Sequence, residues 1–217
     1  MESTITLSRK IYGYLMEEIT SGRLRMGQII DENAIMELFR ISKTPIREAI
    51  FSLENDGIIE KRGKSYFVSF IGPDEINQIF EARRELEAIA AYYAAQRIQK
   101  SELNQLSYVL KMIKKSTEED QPADLANLNG KFHSIIAKAS KNKYIEDEVN
   151  LLRLKLRIVR VTLFSSLERR SDELLEHSQI YEALVNKDAE QARALMYNHE
   201  TDVWEYVNKN IIPKLYY

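Results

Sequence analysis

The stretch Asp31–Asp56, DENAIMELFRISKTPIREAIFSLEND, restricts the fold of this 217-residue chain more than any other part. It reads as two short amphipathic helices joined by Arg40-Ile41-Ser42, a connection so short that the helices must cross steeply. Asp31 suits the N-cap of the first helix, which runs through Phe39 with Ala34, Ile35, Leu38 and Phe39 on its apolar side. In the second, Ile46, Ala49, Ile50 and Leu53 form the inward stripe. Pro45 sits in its first turn, where backbone N–H groups have no intrahelical partner anyway. Upstream, Leu7–Ser21 shows a helical apolar period, and Gly22 suits its C-terminal end. Downstream, Asp56-Gly57 stops the third helix. Two short strands, Ile58–Lys61 and Tyr66–Phe70, then flank the turn Arg62-Gly63-Lys64-Ser65. Three helices and a basic-tipped hairpin make a winged helix-turn-helix.

The residues at the start of the third helix point to a partner. Lys43 and Arg47 lie four apart on one face, where an N-terminal helix end can meet base edges in a DNA major groove. Ser42 and Thr44, with the free N–H groups of the helix start, suit phosphate oxygens. The hairpin tip, Arg62-Gly63-Lys64, can reach an adjacent groove or backbone. A solvated charged turn is the bland alternative, and the hairpin argues against it. The totals give no help: net charge is −2, and residues 1–71 hold ten Lys or Arg against ten Asp or Glu. The DNA reading therefore rests on where the cations sit.

Gly72-Pro73-Asp74 divides the chain into a DNA-binding domain, 1–71, and a helical domain, 72–217. Beyond the break there is no strand signal. Helices are expected over Pro73–Ile98, Ser101–Ser116, Ala123–Ser140 and Lys143–Ser166, then from Ser171 or Asp172 to Asn186, and from Asp188 to Asn210. The fold class is thus mainly α, with the hairpin in the first domain and an all-α antiparallel bundle in the second. No run approaches the length of a membrane helix, no secretion signal opens the chain, and cysteine is absent, so a cytoplasmic protein is expected.

The chain's three histidines, His133, His177 and His199, each fall on the apolar stripe of a different helix. One inward histidine is ordinarily a core residue. Three with none on the surface suggest a shared site for a divalent metal, Zn²⁺ or Ni²⁺ first among them. Asn129, four residues before His133, can add an oxygen. Arg83 and Glu87 face inward at i, i+4; they form a structural ion pair, or Arg83 meets the carboxylate of a small organic-acid effector beside the metal. Arg157 or Arg160 can assist. Ala88, Ala91, Ala94 and Ala95 offer close packing, for a homodimer interface or for the bundle core. A metal-dependent hydrolase using the three-histidine site is the alternative function. Against it, no HExxH run pairs ligands with a base, and Glu87 is the one inward carboxylate to nominate.

IYGYLMEEITSGRLRMGQII followed by ISKTPIREAIFSLENDGIIEKRGKSYFV resembles the winged-helix domain of GntR-family transcription regulators, over residues 7–70. The family usually carries Arg at position 43, where Lys43 keeps the charge and loses the fork. Asn33 stands where the FadR type can have a DNA-contacting Arg. Residues 74–206 resemble the FCD-type ligand-binding domain of the FadR subfamily, through IFEARRELE at 79–87 and through Asn129, His133, His177 and His199 at its metal positions. The resemblance implies a regulator that binds a palindromic operator in double-stranded DNA as a homodimer. It also implies an effector site around Arg83 and Asn129, and no enzymatic activity.

Overall fold

The computed structural model describes residues 6–20, 23–119, 122–163 and 167–216. The helix end expected at Ser21-Gly22 lies outside them. Two compact units are present, Met1–Gly72 with Asn210–Tyr217, and Pro73–Lys209.

In the first unit, α1 (Leu7–Thr20), α2 (Glu32–Phe39) and α3 (Lys43–Asn55) precede a hairpin of β1 (Ile59–Arg62) and β2 (Ser65–Val68). Ile11, Leu15 and Ile19 of α1 pack with Ile46, Ala49, Ile50 and Leu53 of α3 in one core, every one of them nearly fully buried. The capping residue does what its type suggests: Asp31 accepts hydrogen bonds from the N–H groups of Asn33 and Ala34. The apolar side of α2 is narrower than expected. Ile35 is buried and Phe39 half-buried against Tyr14, whereas Ala34 and Leu38 are exposed. A helix of only eight residues buries little more than one turn of its stripe. The turn into α3 is made by Arg40 in the left-handed region, φ 53°.

The strands pair antiparallel, Ile59 opposite Val68 and Arg62 opposite Ser65. Gly63 at φ +62° supplies the tight turn. Residues 27–30 add a third, short line of pairing that periodicity does not reveal. Gly27 donates to the Val68 carbonyl at 2.9 Å and Ile30 to that of Tyr66 at 2.8 Å. The chain's last helix, α11 (Ile212–Tyr216), belongs to this unit; Tyr216 donates to the Ile71 carbonyl and sets its ring edge-on to Phe70.

The second unit is helical: α4 (Pro73–Arg97), α5 (Lys100–Glu118), α6 (Pro122–Ala139), α7 (Lys143–Lys155), α8 (Arg157–Leu163), α9 (Leu167–Val185) and α10 (Ala189–Tyr206). The single helix expected over Lys143–Ser166 is broken. At Leu156 (φ −90°, ψ 13°) the backbone leaves the helical region, and the end expected at Ser166 lies outside the described residues. Leu167 opens α9 four residues earlier than its polar start signal suggests, and α10 gives way at Val207 to a π-helical turn. Ala91, Ala94 and Ala95 are fully buried with Leu106, Phe132, Ile136 and Ile180, and Ala88 is 1% exposed, so the alanine face of α4 packs in the bundle core. No helix of the described residues is long and apolar enough to cross a membrane.

Candidate functional sites

On the first unit, Ser42, Lys43, Thr44 and Arg47 are all exposed at the start of α3. Ser42 holds the N-cap position with extended backbone, and its hydroxyl makes no capping bond, so the first-turn N–H groups stay available to an anion. Arg47 lies 3.7 Å from the half-buried Glu32, a long pair of little strength at an exposed arginine. Asn33 is exposed in the first turn of α2. At the hairpin tip Arg62, Gly63 and Lys64 are exposed; Arg62 pairs with Glu60 and lies over the Phe67 ring at 5.2 Å.

In the second unit α6, α9 and α10 bring the three imidazoles together. His177 Nε2 lies 3.2 Å and His199 Nε2 3.3 Å from His133 Nε2, and all three residues are at most 2% exposed. The outer nitrogens of two rings are held. His133 Nδ1 meets a Glu87 oxygen, and His199 Nδ1 lies 2.6 Å from Glu176 Oε2. His177 stacks on Phe132 with ring centres 4.2 Å apart.

These partners fix the chemistry. A carboxylate accepts, so Nδ1 of His133 and of His199 is the donor and each Nε2 lone pair points inward. Two lone pairs at 3.3 Å repel unless a cation, either a metal ion or a proton on one Nε2, lies between them. Nitrogens spaced this way match the reach of an ion bound at about 2.0–2.1 Å, and carboxylates behind ligating histidines are its usual supports. The donor set therefore fits a divalent metal. Burial and the Arg153 charge push His133 well below the ordinary histidine range. Burial and the other two imidazoles do the same to His177. Burial also disfavours charge on His199, but Glu176 outweighs it and raises the group.

Around the imidazoles runs a buried set of charges. Arg83 donates to Glu87 at 2.7 and 3.1 Å and to Glu200 at 2.7 Å, so the ion pair expected within α4 has a second carboxylate from α10. Arg153 adds a 3.0 Å bond to Glu87. Burial would raise Glu87, but His133, Arg153 and Arg83 hold it well below the ordinary carboxylate range. Asn129 is engaged on both sides. Its Nδ2 donates to Glu173 at 2.6 Å, and its oxygen lies 3.4 Å from guanidinium nitrogens of both Arg153 and Arg160. Arg83, Asn129, Arg160, Glu173, His133 and His199 border one small pocket, with Glu200, Leu163 and Val203.

Glu87 is not the one inward carboxylate. Glu173 and Glu200 are buried as well, and each has an oxygen with no hydrogen-bond partner among the described residues. Sequence reading missed them, with Arg153 and Glu176, because a charged residue is placed outward by default. One signal existed: Glu173 is four before His177, on one helix face.

Comparison with known proteins supplies the family. Residues 7–68 match the bacterial regulatory proteins of the gntR family, and residues 78–202 match the FCD domain, which alone covers more than half of the chain. The HTH-type transcriptional regulator YdhC of Bacillus subtilis is 25% identical over 206 residues, covering 91% of each chain. The gluconate operon transcriptional repressor of the same organism is 28% identical over 191 residues, 84% of this chain and 75% of its own. Among solved structures, Escherichia coli McbR/YncC superposes with a TM-score of 0.65 at 19% identity, covering 95% of this chain and 99% of that one. The exposed cations on a winged helix and the FCD domain that follows it in the chain thus have one common reading: the chain belongs to the gntR family of DNA-binding transcription regulators, with an FCD effector domain, a family of regulators and not of enzymes.

Proposed function

We propose that this chain is a sequence-specific regulator of the FadR subfamily that works as a cytoplasmic homodimer on a palindromic operator. A small carboxylate effector, bound near a divalent metal in the helical unit, controls it. The observation that carries the reading is the convergence of three buried imidazoles beside a pocket bordered by guanidiniums. His133, His177 and His199 would hold Zn²⁺ or Ni²⁺, with Asn129 at its edge, and the ion would offer open positions to an effector oxygen. Arg83 and Asn129 face the same pocket. A relative named for the gluconate operon is consistent with a carboxylate signal.

On DNA, Arg47 and Lys43 would reach base edges, while Ser42, Thr44, Arg62, Gly63, Lys64 and Asn33 would hold backbone phosphates or neighbouring groups. The effector changes operator affinity only as far as it prefers one arrangement of the dimer over another. Fluorescence anisotropy on a selected palindromic duplex is the test. Arg47→Ala should weaken specific binding by about fivefold to a hundredfold, the worth of about 1–3 kcal/mol per base contact, and leave binding to a scrambled duplex nearly unchanged. Equal affinity of the wild type for both duplexes would sink the reading.

A further inference from the structure

Arg83 and Arg160 border the pocket, Arg153 and Arg160 reach the Asn129 oxygen, and the three guanidiniums are not equivalent. Arg83 spends Nε and Nη2 on Glu87 and Glu200. Arg153 places Nη1 on Glu87. Arg160 alone has no carboxylate within ion-pair distance among the described residues. Its contacts are both neutral and both use Nη2: the Ala126 carbonyl at 2.9 Å and the Asn129 oxygen at 3.4 Å. Nη1 and Nε have no hydrogen-bond partner among those residues, and Arg160 borders the pocket. A half-buried cation with its charge uncompensated is costly, and its natural complement is an anion.

Two neighbours keep it in this condition. Gly130 leaves the room: a Cβ there would lie 3.1 Å from Arg160 Nη2 and 3.7 Å from Nη1. Asn129 leaves the charge, because a neutral amide oxygen accepts from Arg160 and Arg153 without neutralising either. An aspartate at the same place would pair with both.

We infer that Arg160 is the anion receptor of this pocket, that it takes a carboxylate oxygen on its free Nη1, and that Asn129 and Gly130 keep it free to do so. The assignment rests on the effector reading above and deepens it: Arg83, whose charge is already matched, holds α4 to α10, and Arg160 selects the ligand. A charge-assisted hydrogen bond from Nη1 to a carboxylate oxygen supplies the counter-charge that the neutral contacts of Nη2 do not.

The test uses full-length protein loaded with Zn²⁺, titrated calorimetrically with malonate, acetate and inorganic phosphate, with zinc content measured for each variant. Malonate should bind the wild type. Arg160→Gln should weaken it by about tenfold to a hundredfold, the loss expected for a charged hydrogen-bonded contact, with zinc content unchanged. Asn129→Asp should lose malonate binding while holding zinc at least as tightly, and Gly130→Ala should weaken it by crowding the guanidinium. Without any anion, Arg160→Gln should melt no lower than wild type, which a structural arginine would not allow. Retention of wild-type malonate affinity in both Arg160→Gln and Gly130→Ala overturns the assignment and leaves the effector site standing. Stronger binding of phosphate than of malonate overturns the carboxylate preference. Failure of all three probes to bind the wild type overturns the assignment together with the effector reading beneath it.

Discussion

Glu176 shows how much a single side chain contributes here. Its carboxylate takes both terminal nitrogens of Arg169 at 2.7 Å and faces His199 Nδ1 at 2.6 Å. Burial alone would raise its pKa, yet these partners lower it from 4.5 to about 2. A depressed carboxylate stabilises the fold fully above its unfolded value and loses that contribution as pH falls through the folded one. Glu176→Gln is therefore expected to lower stability by about 2 kcal/mol near neutral pH, the worth of its charged hydrogen bonds. In urea unfolding the gap to wild type should close as pH falls from 4.5 toward 2. A gap that stays constant through that window would show that the charge of Glu176 carries none of it. At the same scale, the histidines were legible because each lies on an apolar stripe, whereas the partners of Arg83 were not. Glu200 is 117 residues away from it in the chain.

Elements set where these side chains arrive. The break at Leu156 divides one expected helix into α7 and α8, which present Arg153 and Arg160 to Asn129 from two segments. Periodicity ran through the break because Leu152, Leu156, Val159 and Leu163 keep the apolar register across it. Helix ends carry strain of another kind. Lys187, between α9 and α10, sits at φ 56°, a region that costs an L-residue about 1 kcal/mol or more and glycine nothing. Lys187→Gly is expected to stabilise the helical unit by about 0.5–1 kcal/mol. Its melting temperature should rise, and a fall would mean that the lysine side chain matters more than its backbone.

For the molecule as a whole, the two compact units each own a core, the winged-helix set around Ile46 and Leu53 and the bundle set around Phe132 and Ile180. Separate cores need not melt together. Calorimetry of the full chain is expected to resolve two transitions, with Zn²⁺ raising only that of the bundle. At about a hundredfold excess over its dissociation constant the ion should add about 2.7 kcal/mol. His177→Ala should abolish the zinc-induced rise and leave the other transition in place. A rise that survives in that variant would place the ion elsewhere.

The sequence by itself determined the elements and their inward faces: the stripe of α3, the Asp31 cap, the hairpin, and three histidines turned to the core. Each is a local matter of period and turn chemistry, decided within a few residues. Only the tertiary structure decided which buried charge is matched. Whether Arg83 or Arg160 is free to meet a ligand depends on carboxylates brought from other helices, and on the desolvation that makes each unmatched charge costly. Neither can be read along one segment. The same argument explains Ala88, Ala91, Ala94 and Ala95, whose small size was plain in the chain while the surface they pack against was not.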